Sequence, residues 1–275
     1  MTTILSVLKK RLSPQTRQRL IFPRWILGFY LPRRVRSFFG LRTVKVRVLF
    51  PPLETLRDDH ISHQLRKVNL AVPTKMCRVM TRYGSDKGDG AHNFTTVYSM
   101  LFGKLRDQPV RIFELGLGTN NPELSSTMGA SGRPGASLRG WRKLFPHALV
   151  YGADIDREIL FVEDRIQTFY CDQTSSEAIR DLWSQPALQG GMDILIEDGL
   201  HTFCANLSFL DGSLEHIRPG GIYVIEDINP SEAENWCSAL ETIYTKRFPD
   251  YEFALIDLPG ALKADNLLLV VRRLR

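Results

Sequence analysis

The spacing of apolar residues changes along the chain at about residue 110. Beyond that point, short apolar runs alternate with longer segments in which apolar residues recur at helical spacing. Such alternation is typical of strands and helices that succeed one another in a parallel α/β sheet. The predicted strands are residues 110–115, 149–155, 167–171, 193–197, 222–226, 251–256 and 266–272. The last two leave no room for a helix between them. We therefore expect an α/β fold with a doubly wound, mostly parallel seven-stranded sheet and a C-terminal antiparallel hairpin.

Periodicity also predicts the elements around these strands. Residues 43–50 alternate between apolar and polar side chains, as a half-buried strand does, and residues 54–82 read as helical with a stop and restart at Pro73 and Thr74. A later helix is predicted to start at Ser231, with Glu234 completing a capping box. Two more helices have predicted apolar stripes: Phe94, Val97, Tyr98, Leu101, Phe102 and Leu105 in one, and Phe203, Leu207, Leu210, Leu214 and Ile217 in the other.

Charge divides the chain into two parts. Residues 1–50 contain twelve Lys or Arg and no Asp or Glu, whereas the other 225 residues contain 24 basic and 30 acidic side chains. The overall net charge of +6 therefore belongs to the N-terminal segment. We expect residues 1–82 to form a basic N-terminal extension and helical region, and residues 83–275 to form a mildly acidic domain.

The basic segment has three candidate roles. It contains the aromatic residues Trp25, Phe29, Tyr30, Phe38 and Phe39, and its longest uncharged stretch is too short to span a bilayer. It could pack on the domain or on a second subunit of a homo-oligomer, or residues 1–40 could make peripheral contact with an anionic membrane surface. Nucleic acid is the third candidate, and the net negative charge of the rest of the chain disfavours it.

Cysteine usage bears on the cellular location. The four cysteines are far apart and form no C-x-x-C pair. This spacing argues against a structural zinc site or a disulfide framework and fits a reducing compartment. We expect a cytoplasmic protein, peripheral on the inner face of a membrane if residues 1–40 bind one.

Glycines and carboxylates follow the first two strands of the predicted sheet. Glu114 ends the first strand, and Gly116 and Gly118 come next, where glycine permits a tight turn and a close approach of the backbone to a ligand. Asp154 ends the second strand, and an acid at that place can bind the two hydroxyls of a ribose. These residues predict a nucleoside site.

The third strand adds to this site and narrows its ligand. Asp172 follows the strand beside Gln173, where an adenine edge could be read. The third glycine of the dinucleotide fingerprint, which would open a helix facing a pyrophosphate, is missing. The several acids also disfavour a phosphate-rich ligand. Together these features favour S-adenosylmethionine, which has no phosphate and carries a sulfonium cation.

A second group of polar residues follows the fourth and fifth strands. Glu197 and Asp198 come after one strand, Glu226 and Asp227 end the next, and His201 lies three residues beyond Asp198. Carboxyl ends of parallel strands meet at one edge of a sheet. Several carboxylates there, beside a histidine, suggest a cation and a base.

Several short motifs, in order, resemble those of one enzyme family. Residues 83–272 are similar to class I S-adenosylmethionine-dependent methyltransferases with a Rossmann-like sheet, and within them to the metal-dependent sugar O-methyltransferases of macrolide biosynthesis that act on mycinose-type deoxysugars. The motifs are YGSDKG, ELGLGT, GASLRGWRKLFP, YGADID, CDQT, IEDGLH and VIEDI.

The resemblance implies a metal site and a base. It implies that Asp198, Glu226 and Asp227 hold Mg²⁺ and that His201 is the general base. It adds Ser137 and Asp198 to the residues that bind the cofactor. Hard oxygen ligands suit Mg²⁺, which keeps places for water or substrate oxygens. Chelation would raise the acidity of two adjacent hydroxyls, so that His201 could take a proton as the oxygen attacks the sulfonium methyl group.

Alternative functions and structural roles stay open at this point. The acceptor could be a sugar diol of a natural product or surface glycan, or a catechol-like diol, because such a metal site reads only adjacent oxygens. A basic-armed RNA-binding or RNA-modifying protein and a nicotinamide-dependent dehydrogenase are disfavoured. Asp198 could instead cap the helix near Thr202, and Glu226 and Asp227 could end a strand in solvent. Glu197 alternates to the opposite side of its strand and is interpreted as structural.

A glycine-rich loop precedes the predicted helix that contains Phe94 and Val97. This loop contains three more candidate site residues, Asp86, Lys87 and His92. These side chains could form a lid over cofactor or sugar, or His92 could be a solvated loop histidine.

Overall fold

Nine strands form a single mixed sheet in the computed structural model, which describes residues 43–52 and 56–274. The spatial order of the strands is β1-β8-β9-β7-β6-β2-β3-β5-β4. The strands are β1 (Arg47–Phe50), β2 (Arg111–Leu115), β3 (Leu149–Asp154), β4 (Val162–Glu163), β5 (Ile166–Tyr170), β6 (Met192–Glu197), β7 (Ile217–Ile228), β8 (Tyr251–Asp257) and β9 (Leu267–Arg273). The five central strands from β5 to β7 run parallel, whereas β9, β8, β1 and β4 are antiparallel to their neighbours.

Helices cover the sheet and connect its strands. The α-helices are α1 (Ile61–Leu65), α2 (Lys75–Tyr83), α3 (Phe94–Phe102), α4 (Ala136–Leu144), α5 (Ser176–Trp183), α6 (Phe203–Ser213), α7 (Ala233–Ala239) and α8 (Thr245–Arg247). A π-helical segment, Leu240–Tyr244, joins α7 to α8. Short 3₁₀ turns occupy Gly103–Leu105, Arg157–Ile159, Pro186–Leu188, Leu214–His216 and Pro230–Glu232.

The predicted fold class is confirmed, but the predicted number of strands is wrong. All seven predicted strands are present, and β8 and β9 form the expected antiparallel hairpin. The two additional strands lie at the edges of the sheet: β1 pairs with β8, and the two-residue β4 pairs with β5. Residues 43–50 were predicted to form a half-buried strand, and residues 47–50 of that segment form β1. Their place in this sheet depends on pairing with residues about 200 positions away, which periodicity does not report.

Two predictions about helix ends are also wrong. The stripe assigned to α6 ends too late, because the helix stops at Ser213 and Ile217 begins β7. The last long helical region does not start with a capping box at Ser231. Instead the side chain of Asn229 accepts a hydrogen bond from the amide of Ser231, and Pro230 starts a 3₁₀ turn. At the end of α6 the helical spacing of apolar residues continues through Leu214 to Ile217, so the sequence pattern does not show where the helix ends.

The sheet separates two apolar layers. Alternation along the strands sends Ile112 and Val224 to a layer that includes Trp141, and sends Leu195 and Tyr223 to a layer on the opposite face. The described residues from Thr43 onward belong to one compact unit. The helical region between residues 43 and 82 thus shares its core with the domain predicted for residues 83–275. Within the described residues, no helix is long and apolar enough to cross a membrane.

Candidate active site

A cavity of about 780 Å³ opens at the carboxyl ends of the central parallel strands. This edge of an open α/β sheet is where ligands bind in such folds. Among its lining residues are most of those predicted from the sequence: Gly116, Gly118, Ser137, Asp154, Asp172, Gln173, Asp198, His201 and Asp227. The fold therefore brings the predicted nucleoside-binding residues and the predicted metal and base residues to one cavity.

The turn after β2 needs glycine for two reasons. Gly116 has a φ of 86°, a left-handed conformation that glycine adopts without penalty. A Cβ atom at this position would also lie 1.8 Å from the carbonyl oxygen of Asp198. Gly116 is therefore needed where the backbone after β6 passes close to the turn after β2.

Asp154 holds the other side of the same turn. One of its carboxylate oxygens accepts a hydrogen bond from the amide of Leu117 at 2.7 Å, and the other accepts from the amide of Asp156 at 2.9 Å. Burial raises the pKa of Asp154, and these amide hydrogen bonds oppose that rise. Asp154 thus joins the turn after β2 to the end of β3, with its carboxylate facing the cavity.

Other predicted cofactor residues differ in their exposure to the cavity. Ser137 lines the cavity from the first turn of α4. Asp172 accepts hydrogen bonds from the amide and hydroxyl of Thr174. Glu114 does not line the cavity. It is fully buried behind it, where the indole of Trp141 donates a 2.5 Å hydrogen bond to its Oε2.

Lys87 is the residue that binds the carboxylates together. Its ammonium forms ion pairs with Asp198 and Glu226 and lies 3.3 Å from Glu114. The side chain is only 2% exposed. Burial lowers the pKa of Lys87, but the three carboxylates outweigh burial and hold that pKa well above its usual value. Lys87 points inward to these carboxylates, and with Asp86 and His92 it lines the cavity.

Both oxygens of Glu226 are engaged by neighbouring side chains. Lys87 contacts Oε2, and the hydroxyl of Tyr98 donates a hydrogen bond to Oε1. Burial raises the pKa of Glu226, and the ammonium of Lys87 opposes the rise. Glu226 is 1% exposed and does not line the cavity, so the structure places it apart from Asp227.

Asp198, His201 and Asp227 form a cluster that faces the cavity. One potential ligand atom from each lies within 4.8 Å of the others, and His201 Nε2 is 3.8 Å from an oxygen of each carboxylate. Burial raises the pKa of Asp198 to about 6, against the attraction of Lys87, and the charge of Asp227 adds to the rise. Two carboxylates crowded in this way fit a hard cation, with room for water or substrate oxygens.

The backbone of this cluster is unusual. His201 and Asp227 have φ values of 58° and 53°, in the left-handed region that few non-glycine residues adopt. Such conformations cost on the order of 1–3 kcal/mol each and concentrate at functional sites. Asp227 lies near the end of β7, directly after the buried Glu226. With the left-handed conformation at Asp227, the first of these adjacent acids is buried and the second lines the cavity.

His92 is buried against Asp227 rather than solvated. Its Nδ1 lies 3.0 Å from Asp227 Oδ1, and its Nε2 lies 3.6 Å from Asp86. Burial lowers the pKa of His92. The carboxylates of Asp227 and Asp86 raise that pKa by more than burial lowers it, to about 10. The loop between α2 and α3 thus brings two cationic groups, Lys87 and His92, to the carboxylates at the strand ends.

Sequence reasoning named Lys87 and His92 without finding their roles. The available signal was a lysine and a histidine in one glycine-rich loop of a chain that has several acids at its strand ends. Two partners of Lys87, Asp198 and Glu226, are 111 and 139 residues away in the chain, so local sequence patterns do not reveal these ion pairs.

Comparison with known proteins supports the assignment of the fold. No protein-family model matches the chain. The tetracenomycin-C rhamnosyl 2'-O-methyltransferase (8-demethyl-8-alpha-L-rhamnosyl tetracenomycin-C 2'-O-methyltransferase) of Streptomyces olivaceus is 36% identical over 150 residues, which cover 54% of this chain and 36% of that protein. Demethylmacrocin O-methyltransferase of Streptomyces fradiae is 35% identical over 149 residues, which cover 54% of this chain and 35% of that protein.

A solved structure shows the same fold. It is the MycE methyltransferase from the mycinamycin biosynthetic pathway in complex with Mg and SAH, which matches with a TM-score of 0.53 and 27% identity. The match covers 78% of this chain and 60% of that chain. The chain has a methyltransferase fold.

The resemblance predicted from the motifs is thereby confirmed. The methyltransferase fold accounts for the mostly parallel sheet, its reversed C-terminal hairpin and a cavity at the carboxyl ends of its strands. The chain spans about a third of the length of the curated relatives it matches.

Proposed function

We propose that this chain is a Mg²⁺-dependent O-methyltransferase that transfers the methyl group of S-adenosylmethionine to one hydroxyl of a sugar diol. The observation that carries the proposal is one cavity lined by two groups of residues. The first group is the glycine turn with Asp154, and the second is the cluster of Asp198, His201 and Asp227. The named activities of the relatives, which are sugar O-methyltransferases, favour the same reaction.

The first group would bind the cofactor. Gly116 and Gly118, with φ values of 86° and 77°, form the tight turn whose backbone lines the cavity, and Asp154 would accept hydrogen bonds from the ribose hydroxyls. Ser137 and Asp172 line the same part of the cavity. When bound, S-adenosylmethionine supplies an electrophilic methyl group on a sulfonium cation, and the acidic lining of the cavity complements that charge.

The second group would hold the metal and the acceptor. Asp198 and Asp227 present carboxylate oxygens to the cavity and would be ligands of Mg²⁺. Glu226 is the remaining predicted ligand, and its oxygens are engaged by Lys87 and Tyr98. When bound, Mg²⁺ supplies positive charge that lowers the pKa of a neighbouring hydroxyl.

His201 would be the general base. Its Nε2 lies 3.8 Å from the oxygens of Asp198 and Asp227, so the imidazole is at the edge of the same cluster. It would accept the proton of the sugar hydroxyl at Nε2 as that oxygen bonds to the methyl carbon and the methyl–sulfur bond breaks, which leaves S-adenosylhomocysteine. The two carboxylates would stabilise the imidazolium that results.

The reaction can be tested with labelled cofactor. We expect methyl transfer from labelled S-adenosylmethionine to glycosides with adjacent hydroxyls, loss of transfer in EDTA and recovery on addition of Mg²⁺. A parallel panel of catechols tests the competing acceptor class. Transfer that is insensitive to EDTA would contradict the metal, and transfer to catechols alone would contradict the sugar.

The position of the cofactor can be tested at Asp154. We expect Asp154→Ala to weaken binding of S-adenosylhomocysteine by about 10–100-fold, the loss associated with hydrogen bonds to a charged group. Calorimetry gives the dissociation constant directly. Asp164→Ala is the matched control, because Asp164 is an exposed aspartate between β4 and β5 that does not line the cavity. Equal affinity for Asp154→Ala and wild type would argue against this placement.

The partners suggested for the basic segment stay proposals. Residues 1–40, for which we proposed peripheral contact with a membrane, lie outside the described residues. A cytoplasmic location and a homo-oligomer are proposed on the sequence alone. The net positive charge of this segment and its aromatic residues support contact with an anionic surface.

A further inference from the structure

Both ends of the Gln173 side chain are already used within the protein. Its Nε2 donates a hydrogen bond to Glu197 Oε1 at 3.1 Å, and its Oε1 accepts one from the amide of Leu200 at 2.7 Å. Gln173 is 7% exposed. These two bonds fix which end of the amide is the donor. Each end keeps one further hydrogen-bonding position, because the amide nitrogen has two hydrogens and the oxygen has two lone pairs.

Glu197 supports the amide from behind. The same Oε1 atom also accepts a hydrogen bond from the amide of Gly199 at 3.2 Å, and Glu197 is 1% exposed. Gln173 and Glu197 therefore contact the backbone of two successive residues, Gly199 and Leu200. These residues form the turn between Asp198 and His201.

The opposite side of this turn is also fixed. The amide of Asp198 donates to the carbonyl oxygen of Leu115 at 2.9 Å, and Gly116 approaches the Asp198 carbonyl too closely to carry a Cβ. On the Gln173 side, a Cβ at Gly199 would lie 1.8 Å from Gln173 Oε1. The turn is thus held between the end of β2 and the Gln173 amide with no spare space.

We propose that Gln173, supported by Glu197, is a positioning residue that holds the turn carrying Asp198 and His201. The proposal rests on the proposed function for the meaning of that turn. It is carried by the hydrogen bonds and close approaches of the turn itself. Residues that orient metal ligands in this way typically contribute 10–100-fold to metal affinity or activity.

The first test measures two affinities in the same variant. We expect Gln173→Ala to weaken binding of Mn²⁺, used as an EPR-visible divalent cation, by about 10-fold. Its affinity for S-adenosylhomocysteine should stay within about 2-fold of wild type, and its melting temperature should stay within a few degrees. Asp172→Ala is the control, since the neighbouring side chain also lines the cavity and should affect the nucleoside instead.

A second variant moves the same amide without changing residue 173. In Gly199→Ala the new methyl group would occupy the position of Gln173 Oε1 and displace the flexible end of that side chain. We expect Gly199→Ala to weaken Mn²⁺ binding as Gln173→Ala does. The double variant should be no worse than either single variant, because both remove one interaction.

A charge exchange tests the pair. In Gln173→Glu two carboxylates face each other, so Mn²⁺ binding should weaken. Adding Glu197→Gln restores one amide and one carboxylate and should recover at least half of the lost affinity on a logarithmic scale. Independent roles for the two residues predict that the losses add instead.

The outcomes separate this proposal from others. Loss of S-adenosylhomocysteine affinity with unchanged Mn²⁺ binding would make Gln173 an adenine reader and overturn the proposal. A parallel loss of both affinities together with a large fall in melting temperature would make it a general structural residue and also overturn it. Absence of methyl transfer by the wild type would count against the proposed function, whereas these binding measurements would still decide the role of Gln173.

Discussion

Replacing His201 with alanine should lower turnover by about 10²–10⁴-fold, the usual range for a positioned general base. The imidazole is at the edge of the carboxylate cluster, and Asp154, which is proposed to bind the ribose, is not part of that cluster. The affinity for S-adenosylhomocysteine should therefore stay unchanged. Turnover of the variant should rise with pH, because hydroxide can replace part of the function of the imidazole. Steady-state kinetics across pH, with calorimetry of cofactor binding, measure both effects.

Metal binding decides whether His201 is a base or a ligand. Its Nε2 is within reach of a cation held by Asp198 and Asp227, so both roles fit the distances. As a base, His201→Ala should bind Mg²⁺ nearly as wild type does, whereas Asp198→Ala and Asp227→Ala should each bind it more weakly. The exposed His147→Ala is the control for loss of a histidine. If His201→Ala retains full turnover, or loses Mg²⁺ as completely as Asp198→Ala, the assignment as base is wrong.

Replacing Lys87 with methionine should destabilise the protein by about 3–5 kcal/mol, the cost of leaving buried charges without their partner. Methionine has a similar length and fills a similar volume, so the expected loss is electrostatic. Three carboxylates, those of Glu114, Asp198 and Glu226, would face one another in a site from which water is largely excluded. Urea denaturation without added metal gives the free energy of unfolding.

Two further variants separate charge from packing in this experiment. Lys263→Met is the control, because Lys263 also lines the cavity but is exposed, and its stability should stay close to that of wild type. Adding Glu226→Gln to Lys87→Met removes one of the uncompensated charges and should recover part of the loss. If the double variant is less stable than Lys87→Met, the repulsion between the carboxylates is not the cause.

The extent to which the fold could be predicted follows from the range of the interactions involved. The seven strands of the predicted sheet were found because each is a short apolar run, and the reversed hairpin followed from the short connection between β8 and β9. The two-residue β4 is too short to leave a pattern. The pairing of β1 with β8 joins residues about 200 positions apart, which local periodicity does not encode.

The candidate site shows the same division. The sequence predicts that Glu114, Asp198 and Glu226 come at the ends of strands, and the structure makes those strands parallel neighbours in the sheet. Alternation along β6 sends Asp198 and Glu197 to opposite sides, as predicted. What the sequence does not report is which charged group meets Glu114, Asp198 and Glu226, because the contacts of Lys87 depend on how the loop between α2 and α3 folds back over the sheet.

By itself the sequence determined the fold class, the glycine turn and the set of acids that converge at one edge of the sheet, because these depend on local spacing and strand direction. Only the tertiary structure decided how those acids are divided. It paired Glu226 with Lys87 and Tyr98, left Asp227 facing the cavity through a left-handed backbone turn, and committed both ends of the Gln173 amide to the turn after β6. The physical reason is that the surroundings of a buried polar group are set by residues far away in the chain, and each such group must find a partner there or lose stability.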